Sequence, residues 1–270
     1  MQTVYASAYK EKMHPGLGPS AEAEHIHINQ ANIRDRLQKC PGEFVVWDVG
    51  LGAAANALTL LRATRDLLGP LRLVSFDDTL EPLSFALLHQ EELEYLRDYE
   101  LEVETAIEQR HAEFMDGARA VDWELHIGDF PTLLSSNEVH TIASPHAILF
   151  DPFSPASNAA MWTLPLFERI SQLLDPLRGC ILTTYSRSTM VRVGLLVAGF
   201  FVGRGKPTGM KEETTVAANA LDLLDEPLDR AWLRRVRDST SAEPLRTGVY
   251  RQSPLSEQTR ERLQQCPQFA

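Results

Sequence analysis

The chain has 270 residues, of which 44% are apolar, enough to fill the core of one large α/β domain with attachments. Its 26 basic and 37 acidic residues give a net charge of −11, which argues against a protein that grips nucleic acid over its whole surface. The three widely spaced cysteines indicate neither a disulfide framework nor a zinc site, and the longest uncharged apolar run, 193–203, is too short to span a membrane. We therefore expect a soluble, cytoplasmic protein with no metal and no membrane partner.

The first 24 residues are predicted to form an N-terminal arm, because the segment Pro15-Gly16-Leu17-Gly18-Pro19 is a loop signal. His25-Ile26-His27-Ile28 alternates like a short strand, which would place both histidines on one polar face of an edge strand. A metal pair is the alternative, but no third ligand stands nearby in the sequence. A short helix is predicted from Ile33 to Lys39.

The stretch from Phe44 to Gly52 predicts a buried strand that runs into a Gly-x-Gly turn, with a helix behind it over 53–68. Such a unit opens nucleotide-binding α/β sheets, because glycines let the backbone approach a ligand and the helix N-terminus offers N–H groups. The third glycine of the dinucleotide fingerprint is missing. Asp48 stands two residues before Gly50, as in S-adenosylmethionine (SAM)-binding turns, where a carboxylate can meet the ligand's ammonium group. The unit therefore favours SAM over a dinucleotide.

The second strand, 71–76, ends at Asp77, 25 residues beyond Gly52, where ribose hydroxyls are normally held. The alternative role is a cap for the next helix, for which Asp78 is better placed. Residues 82–120 predict a long, acidic helical insertion without chemistry. A third strand, 123–127, precedes Asp129, which could accept a hydrogen bond from adenine or cap the helix that follows.

The fourth strand, 147–150, runs into Asp151-Pro152-Phe153-Ser154-Pro155. A carboxylate there could hold the N–H groups of an amine and aim its lone pair at a methyl donor, and Phe153 could stack on a base. An Asp-Pro turn that only caps a helix is the alternative. A fifth strand, 179–184, and a closing hairpin, 199–217, complete the pattern. It predicts a Rossmann-like class I SAM-dependent methyltransferase, with a mostly parallel seven-stranded sheet and an antiparallel C-terminal hairpin.

Several motifs resemble the methyltransferase domain of the MnmC family, which matures the wobble uridine of certain tRNAs. They are Asp48-Val49-Gly50-Leu51-Gly52, Asn56, Gly128-Asp129, Leu149-Phe150-Asp151-Pro152-Phe153-Ser154-Pro155, Asn158, Met161-Trp162-Thr163 and Val191-Arg192. The match runs from about His25 to Ala217. The resemblance implies SAM-dependent N-methylation of 5-aminomethyluridine to 5-methylaminomethyluridine, with tRNA as a transient partner.

The resemblance also implies residue roles. The residues expected to bind the cofactor are Asp48, Gly50, Gly52, Asn56, Asp77 for the ribose, Asp129 for the adenine, and Asp151. Asp151 is the expected catalytic acid beside the amine, assisted by Phe153. The residues expected to contact the substrate are Phe153, Trp162, Tyr185, Arg187, Arg192, Lys206 and Lys211.

The chain also departs from the family. Ala53-Ala54 stands where the turn usually continues Thr-Gly, so two methyl groups are expected to narrow the methionine end of the pocket. Pro152 replaces a usual glycine, and the basic, glycine-rich segment after the last helix is thinner. The flavin oxidase domain fused to many members has no counterpart in the sequence, so an aminomethyl substrate is expected to come from another enzyme.

The predicted division is an arm over 1–24, a methyltransferase domain over 25–220 with its insertion at about 82–120, and a C-terminal appendage over 221–270. Two other functions stay open. One is a SAM-dependent methyltransferase for another amine or a small molecule, because function lies in the site and not in the fold. The other is a non-catalytic binding module that keeps the fold.

Overall fold

The computed structural model describes residues 5–6, 11–12, 18–207 and 213–270. Within these ranges the strands are Tyr5–Ala6 (β1), Glu11–Lys12 (β2), Phe44–Val49 (β3), Leu71–Asp77 (β4), His111–Asp116 (β5), Arg119–Ile127 (β6), Ala147–Phe150 (β7), Ile181–Thr184 (β8), Phe201–Gly205 (β9) and Thr214–Ala218 (β10). The α-helices are Pro19–Ala23 (α1), Ile33–Lys39 (α2), Ala55–Thr64 (α3), Glu81–Leu88 (α4), Glu100–Gln109 (α5), Phe130–Ser135 (α6), Leu164–Leu173 (α7), Thr189–Val197 (α8), Arg230–Arg237 (α9) and Glu257–Gln264 (α10). Glu24–Ile28 is a π-helical turn, and the 3₁₀ turns are Glu94–Leu96, Asn137–Thr141, Ala159–Trp162, Leu221–Leu223 and Pro267–Phe269.

Eight strands form one sheet in the order β5-β6-β4-β3-β7-β8-β10-β9. The five strands from β6 to β8 run parallel, whereas β10 and β9 close one side as an antiparallel hairpin. The predicted mixed α/β fold, with its mostly parallel sheet and C-terminal hairpin, is confirmed. Because the five parallel strands end on the same side, their carboxyl ends form one edge, which we call the ligand edge.

The sheet has eight strands where seven were predicted, because the insertion expected to be helical contains β5. This strand pairs antiparallel with β6, with Asp116 opposite Arg119 across a two-residue turn. Gly117 opens that turn at a φ of +66°, a conformation that glycine adopts freely. The sequence does contain a hairpin signal, Asp116-Gly117, but the acidic composition of the insertion favoured a helical interpretation.

The predicted strand at His25–Ile28 was also wrong. These residues belong to the π-helical turn Glu24–Ile28, which follows α1 directly and closes with a hydrogen bond from Asn29 N to Glu24 O. Ile26, His27 and Ile28 are all buried, so three consecutive side chains of the turn pack against the protein. The side chains of an edge strand would instead alternate between a buried and an exposed face. The predicted helix Ile33–Lys39 is confirmed as α2.

Apolar layers cover both faces of the sheet. Every residue of β3 is buried, as expected for a central parallel strand covered on both sides. Residues 221–270, predicted as an appendage, contribute Trp232, Leu263 and Phe269 to the cluster that contains Phe150 of β7. Among the described residues, none of the helices combines the length and apolar character that a membrane span needs.

Candidate active site

The glycine turn, residues 50–54, connects β3 to α3 at the ligand edge. Gly50 has a φ of +94°, and a Cβ atom placed on it would lie 2.8 Å from the backbone oxygen of Asp151. Gly52 also has a positive φ, and its N–H donates to Asp77 Oδ2 at 2.7 Å. Because Ala54 at the start of α3 offers no side-chain cap, the first-turn N–H groups of that helix are left for water or a ligand.

Asp77 ends β4 beside this turn. Its Oδ1 accepts from the N–H of Asp78, while its Oδ2 accepts from the N–H of Gly52. Burial raises the pKa of Asp77 to about 7, and the carboxyl group of Asp78 adds to the rise, whereas the Gly52 N–H opposes it. A carboxylate at this place could accept hydrogen bonds from a vicinal diol, as predicted for the ribose.

The Asp151 loop, residues 151–158, follows β7 and lies against the glycine turn. The N–H of Asp151 donates to Val49 O at 2.9 Å, which continues the pairing of β7 with β3 past the strand end. Asp151 Oδ2 accepts from Asn56 Nδ2 at 2.9 Å. The side chain of Asn56 is buried, and its Oδ1 has no hydrogen-bond partner in the described part of the chain. The predicted residues Gly50, Gly52, Asn56, Asp77 and Asp151 are therefore brought together.

Two aromatic side chains brace the Asp151 loop. Tyr185 Oη donates to Pro152 O at 2.9 Å, and Trp162 Nε1 donates to Phe153 O at 2.8 Å. Trp162 is fully buried, with its ring edge-to-face against Phe150. Both side chains thus support the backbone of the loop that carries Phe153, and the predicted substrate contacts of Trp162 and Tyr185 stay predictions.

Two predicted cofactor residues have other partners. Asp48 is fully buried within β3 and accepts from Ser75 Oγ of β4 at 3.0 Å, and its contact with the cofactor stays a prediction. Asp129 caps α6, because its Oδ2 accepts from Thr132 N at 2.9 Å and from Thr132 Oγ1. That cap is the alternative that the sequence left open, and the adenine contact stays a prediction.

The predicted basic residues separate into two groups. Arg187 follows β8 and Lys206 follows β9, and both side chains are exposed. Arg192 is instead only 2% exposed and donates to Glu213, Thr214 and Thr215, so it holds the start of β10 rather than facing solvent. Burial lowers the pKa of Arg192, and Glu213 opposes that change. Lys211 lies outside the described residues.

His27 was missed as a site residue because the sequence placed it on an edge strand. Its ring is buried beside the Asp151 loop, with Nε2 at 4.0 Å from Asp151 Oδ2 and Nδ1 at 2.8 Å from Thr183 Oγ1. The signal available in the sequence was only a histidine between two isoleucines. His25, its neighbour in the pattern, lies elsewhere, with Nε2 at 2.5 Å from Pro207 O.

One group of potential metal ligands stands together in the described part of the chain, namely His111, Glu113 and Asp122, whose ligand atoms lie within 4.8 Å of one another. His111 and Arg72 already pair with Asp122, at 2.8 and 3.4 Å. The group lies on β5 and β6, beyond β4 from the glycine turn. We assign it no chemistry.

The polar groups gathered at the ligand edge suit a nucleoside joined to an amino-acid end. The Asp77 carboxylate could accept from ribose hydroxyls, and the orphaned Asn56 Oδ1 could accept from an ammonium group, both of which SAM carries. Residues 91–220 match the family described as S-adenosyl-L-methionine-dependent methyltransferase. This match, together with the fold, agrees with the predicted class, a SAM-dependent methyltransferase, and with the predicted cofactor.

Within that class the chain is similar to MnmC proteins, as its motifs predicted. It is 32% identical over 228 residues to the tRNA 5-methylaminomethyl-2-thiouridine biosynthesis bifunctional protein MnmC of Ectopseudomonas mendocina, a match that covers 79% of this chain and 33% of that protein. The MnmC protein of Cupriavidus necator is 28% identical over 233 residues, with 79% of this chain and 32% of that protein covered. The chain thus spans about a third of the length of these relatives.

A solved structure shares the fold. The crystal structure of MnmC2 from Aquifex aeolicus matches with a TM-score of 0.69 at 23% sequence identity. The match covers 97% of this chain and 80% of that chain, so the fold is shared over nearly all of this chain.

Proposed function

We propose that the protein transfers a methyl group to the amine of 5-aminomethyluridine at the wobble position of tRNA, giving 5-methylaminomethyluridine. The observation that carries the proposal is the contact between the glycine turn and the Asp151 loop, where position 50 has no room for a Cβ against Asp151 O. A cofactor bound on the glycine turn would therefore lie directly beside the Asp151 carboxylate. The relatives' name, which refers to tRNA 5-methylaminomethyl-2-thiouridine biosynthesis, supports the choice of substrate.

The residues of the loop suit an amine substrate. When bound, SAM supplies an electrophilic methyl group next to the glycine turn. An alkyl amine is mostly protonated at neutral pH, so it must lose a proton before its lone pair can attack. The Asp151 carboxylate would attract the ammonium group, accept or hold its N–H hydrogens and fix its direction, while Phe153 would lie against the base.

The ligand edge also offers contacts for a substrate larger than a free amine. Arg187 and Lys206 are exposed at the ends of β8 and β9 on one side of the Asp151 loop. The lip segment, residues 245–251, packs against the residues that follow the Asp151 loop, because Leu245 O accepts from Leu164 N at the start of α7 at 2.7 Å. Tyr250 is 39% exposed there and Arg251 is exposed, which suits stacking and phosphate contact with a single-stranded loop.

The net charge of −11 is compatible with such a partner if the cations gather at one face. The N–H of Trp232 lowers the pKa of Asp229, and the charges of Arg204 of β9 and Arg235 of α9 lower it further. As part of the same proposal, residues 25–220 form the methyltransferase domain, residues 221–270 contribute the lip, and the protein acts in the cytoplasm, where tRNA is modified.

The test is methyl transfer from labelled SAM to tRNA that carries 5-aminomethyluridine, comparing the wild type with Asp151→Asn. We expect kcat to fall by about 10²- to 10⁴-fold, because the amide neither accepts the proton nor attracts the ammonium group. SAM affinity, measured by calorimetry, should change little. Asp225→Asn, which alters an exposed carboxylate outside the site, is the matched control and should keep full activity.

The alternative, a small amine substrate, is tested by the same assay with the free nucleoside and simple amines. If these react as fast as the tRNA, the RNA part of the proposal is wrong although the enzyme class stands. If SAM binds but no amine is methylated, the non-catalytic binding module becomes the better description.

A further inference from the structure

The buried histidine beside the Asp151 loop has no part in the function proposed so far. His27 is 1% exposed, and its ring comes from the π-helical turn that packs on β8 and α3. Nδ1 lies 2.8 Å from the hydroxyl of Thr183 in the middle of β8, and Nε2 faces Asp151 Oδ2 at 4.0 Å. An imidazole that is this deeply buried needs partners for its ring nitrogens, and Nε2 lies beside a carboxylate oxygen of the expected catalytic residue.

The Asp151 carboxylate is thus backed by two buried groups. Oδ2 accepts from Asn56 Nδ2 at 2.9 Å and has His27 Nε2 behind it, while the side chain as a whole keeps 17% exposure toward the cleft. The Thr183 hydroxyl can donate to Nδ1 at 2.8 Å or to Ile148 O at 3.5 Å; the shorter contact and the nearby carboxylate both favour the tautomer with its proton on Nε2. In that state the ring presents N–H to the carboxylate, as second-layer groups do behind catalytic carboxylates and metal ligands.

We propose that His27 is a positioning residue for Asp151, and this inference rests on the proposed function. His27 and Asn56 together hold Oδ2 on the buried side of the cleft, so that Oδ1 is presented to the substrate amine. Asn56 alone would leave the carboxylate free to rotate about its Cβ–Cγ bond. A displacement of about 1 Å at a reacting group can cost on the order of 10²-fold in rate, so a second group that fixes the rotation has a measurable effect.

The test compares three replacements of His27. His27→Phe keeps the ring volume and removes both nitrogens. His27→Gln keeps an N–H near the place of Nε2, whereas His27→Asn keeps a polar group only near Nδ1. We expect kcat for methyl transfer to fall by about 10- to 100-fold in His27→Phe and His27→Asn and to be largely restored in His27→Gln. The SAM dissociation constant should stay within about threefold in all three, because the His27 ring nitrogens face Thr183 and Asp151.

His25→Phe is the matched control, since His25 comes from the same turn but its Nε2 is within hydrogen-bond distance of Pro207 O instead. It should keep wild-type kcat. Wild-type kcat in His27→Phe would overturn the inference. An equal loss in all three His27 variants together with lower thermal stability would also overturn it, since the ring would then only fill space.

A readout without substrate separates this inference from the proposed function. The ¹⁵N chemical shifts of the His27 ring should place the proton on Nε2 in the wild type, and the Nε2 shift should move in Asp151→Asn at the same pH. The positioning role would be contradicted if the ring carried its proton on Nδ1 alone. It would also be contradicted if the His27 ¹⁵N shifts were the same in the wild type and in Asp151→Asn. If the wild type methylates no tRNA while the shifts behave as expected, the proposed substrate is wrong and the His27–Asp151 arrangement stands.

Discussion

The glycine turn after β3 and the Asp151 loop after β7 lie side by side at the ligand edge, but different parts of the chain hold them. The glycine turn is built from backbone: Gly50 and Gly52 set its path, and Asp77 fastens it through one N–H. Its parts are contiguous along the chain from β3 to the end of β4. Local sequence therefore determines this half of the cleft.

The Asp151 loop is instead held by side chains from distant elements. Asn56 comes from α3, His27 from the π-helical turn and Tyr185 from the end of β8, and each of them reaches the loop across more than 25 residues of sequence. Changes in the glycine turn should therefore act on folding and cofactor binding together. Changes around the Asp151 loop should act on turnover while leaving the cofactor in place.

The strongest way to break the glycine turn is Gly50→Ala. A residue with a Cβ is strained at a φ of +94°, and the added atom would lie 2.8 Å from Asp151 O. We expect a loss of at least about 2 kcal/mol in the free energy of unfolding and no measurable SAM binding. Urea unfolding and calorimetry measure both. Gly42→Ala, with no atom within 4 Å of the new Cβ and an ordinary φ, is the control and should change neither quantity appreciably.

The next effect is on the pH dependence of cofactor binding. Because burial raises the pKa of Asp77 to about 7, the group is protonated below that pH and loses its ability to accept from both ribose hydroxyls. If SAM binds the ionised form, its affinity should increase about tenfold from pH 6 to pH 8 and level off above that. In Asp77→Asn the affinity should be lower and nearly independent of pH over this range. If the variant kept the wild-type pH profile, Asp77 would not be a cofactor-binding residue.

A smaller effect is expected on the RNA side. Arg187→Gln combined with Lys206→Gln removes two exposed cations beside the Asp151 loop. If both contact phosphates, the slope of log affinity for tRNA against log salt should fall by about 1 to 2, without a change in SAM affinity. Arg97→Gln with Arg110→Gln removes the same charge around α5, on the β5 side of the sheet, and should leave the slope unchanged. Equal slopes for the two double variants would mean that Arg187 and Lys206 make no specific contact with tRNA.

The same contrast explains what the sequence could predict. Gly50, Gly52 and Asp77 were identified from a strand, a turn and a second strand in chain order, and the fold class followed from the repetition of that unit. The motif at Asp151 was identified by its residues, but its neighbours were not. His27 is 124 residues from Asp151, and only the pairing of β3 with β7 and the packing of the π-helical turn bring the two side chains together.

Where local patterns failed, a tertiary contact decided the outcome. Arg192 appeared as one cation of a surface patch, but Glu213 and two threonines of β10 enclose its guanidinium. Asp48 appeared two residues before a glycine, which predicts a ligand contact; the structure adds a hydrogen bond from Ser75 of the neighbouring strand, and the ligand contact stays a prediction. Neither partner lies close in the sequence, so spacing alone could not reveal them.

The smallest expected effect tests the departure at Ala54. Ala54 has a φ of +62°, which costs an L-residue about 1–2 kcal/mol, and glycine would remove that strain. Two costs offset this gain. Ala54 is fully buried in the apolar cluster beside α3, and loss of a buried methyl group costs about 0.8 kcal/mol. Glycine also increases the conformational entropy of the unfolded chain, which favours unfolding. We therefore expect Ala54→Gly to change the free energy of unfolding by less than about 1 kcal/mol.

Because the methyl group of Ala54 packs into the core rather than the cleft, the SAM dissociation constant should change less than about threefold. An affinity gain of tenfold or more in calorimetry would mean that the methyl group does narrow the methionine end of the pocket, as the comparison of motifs first suggested.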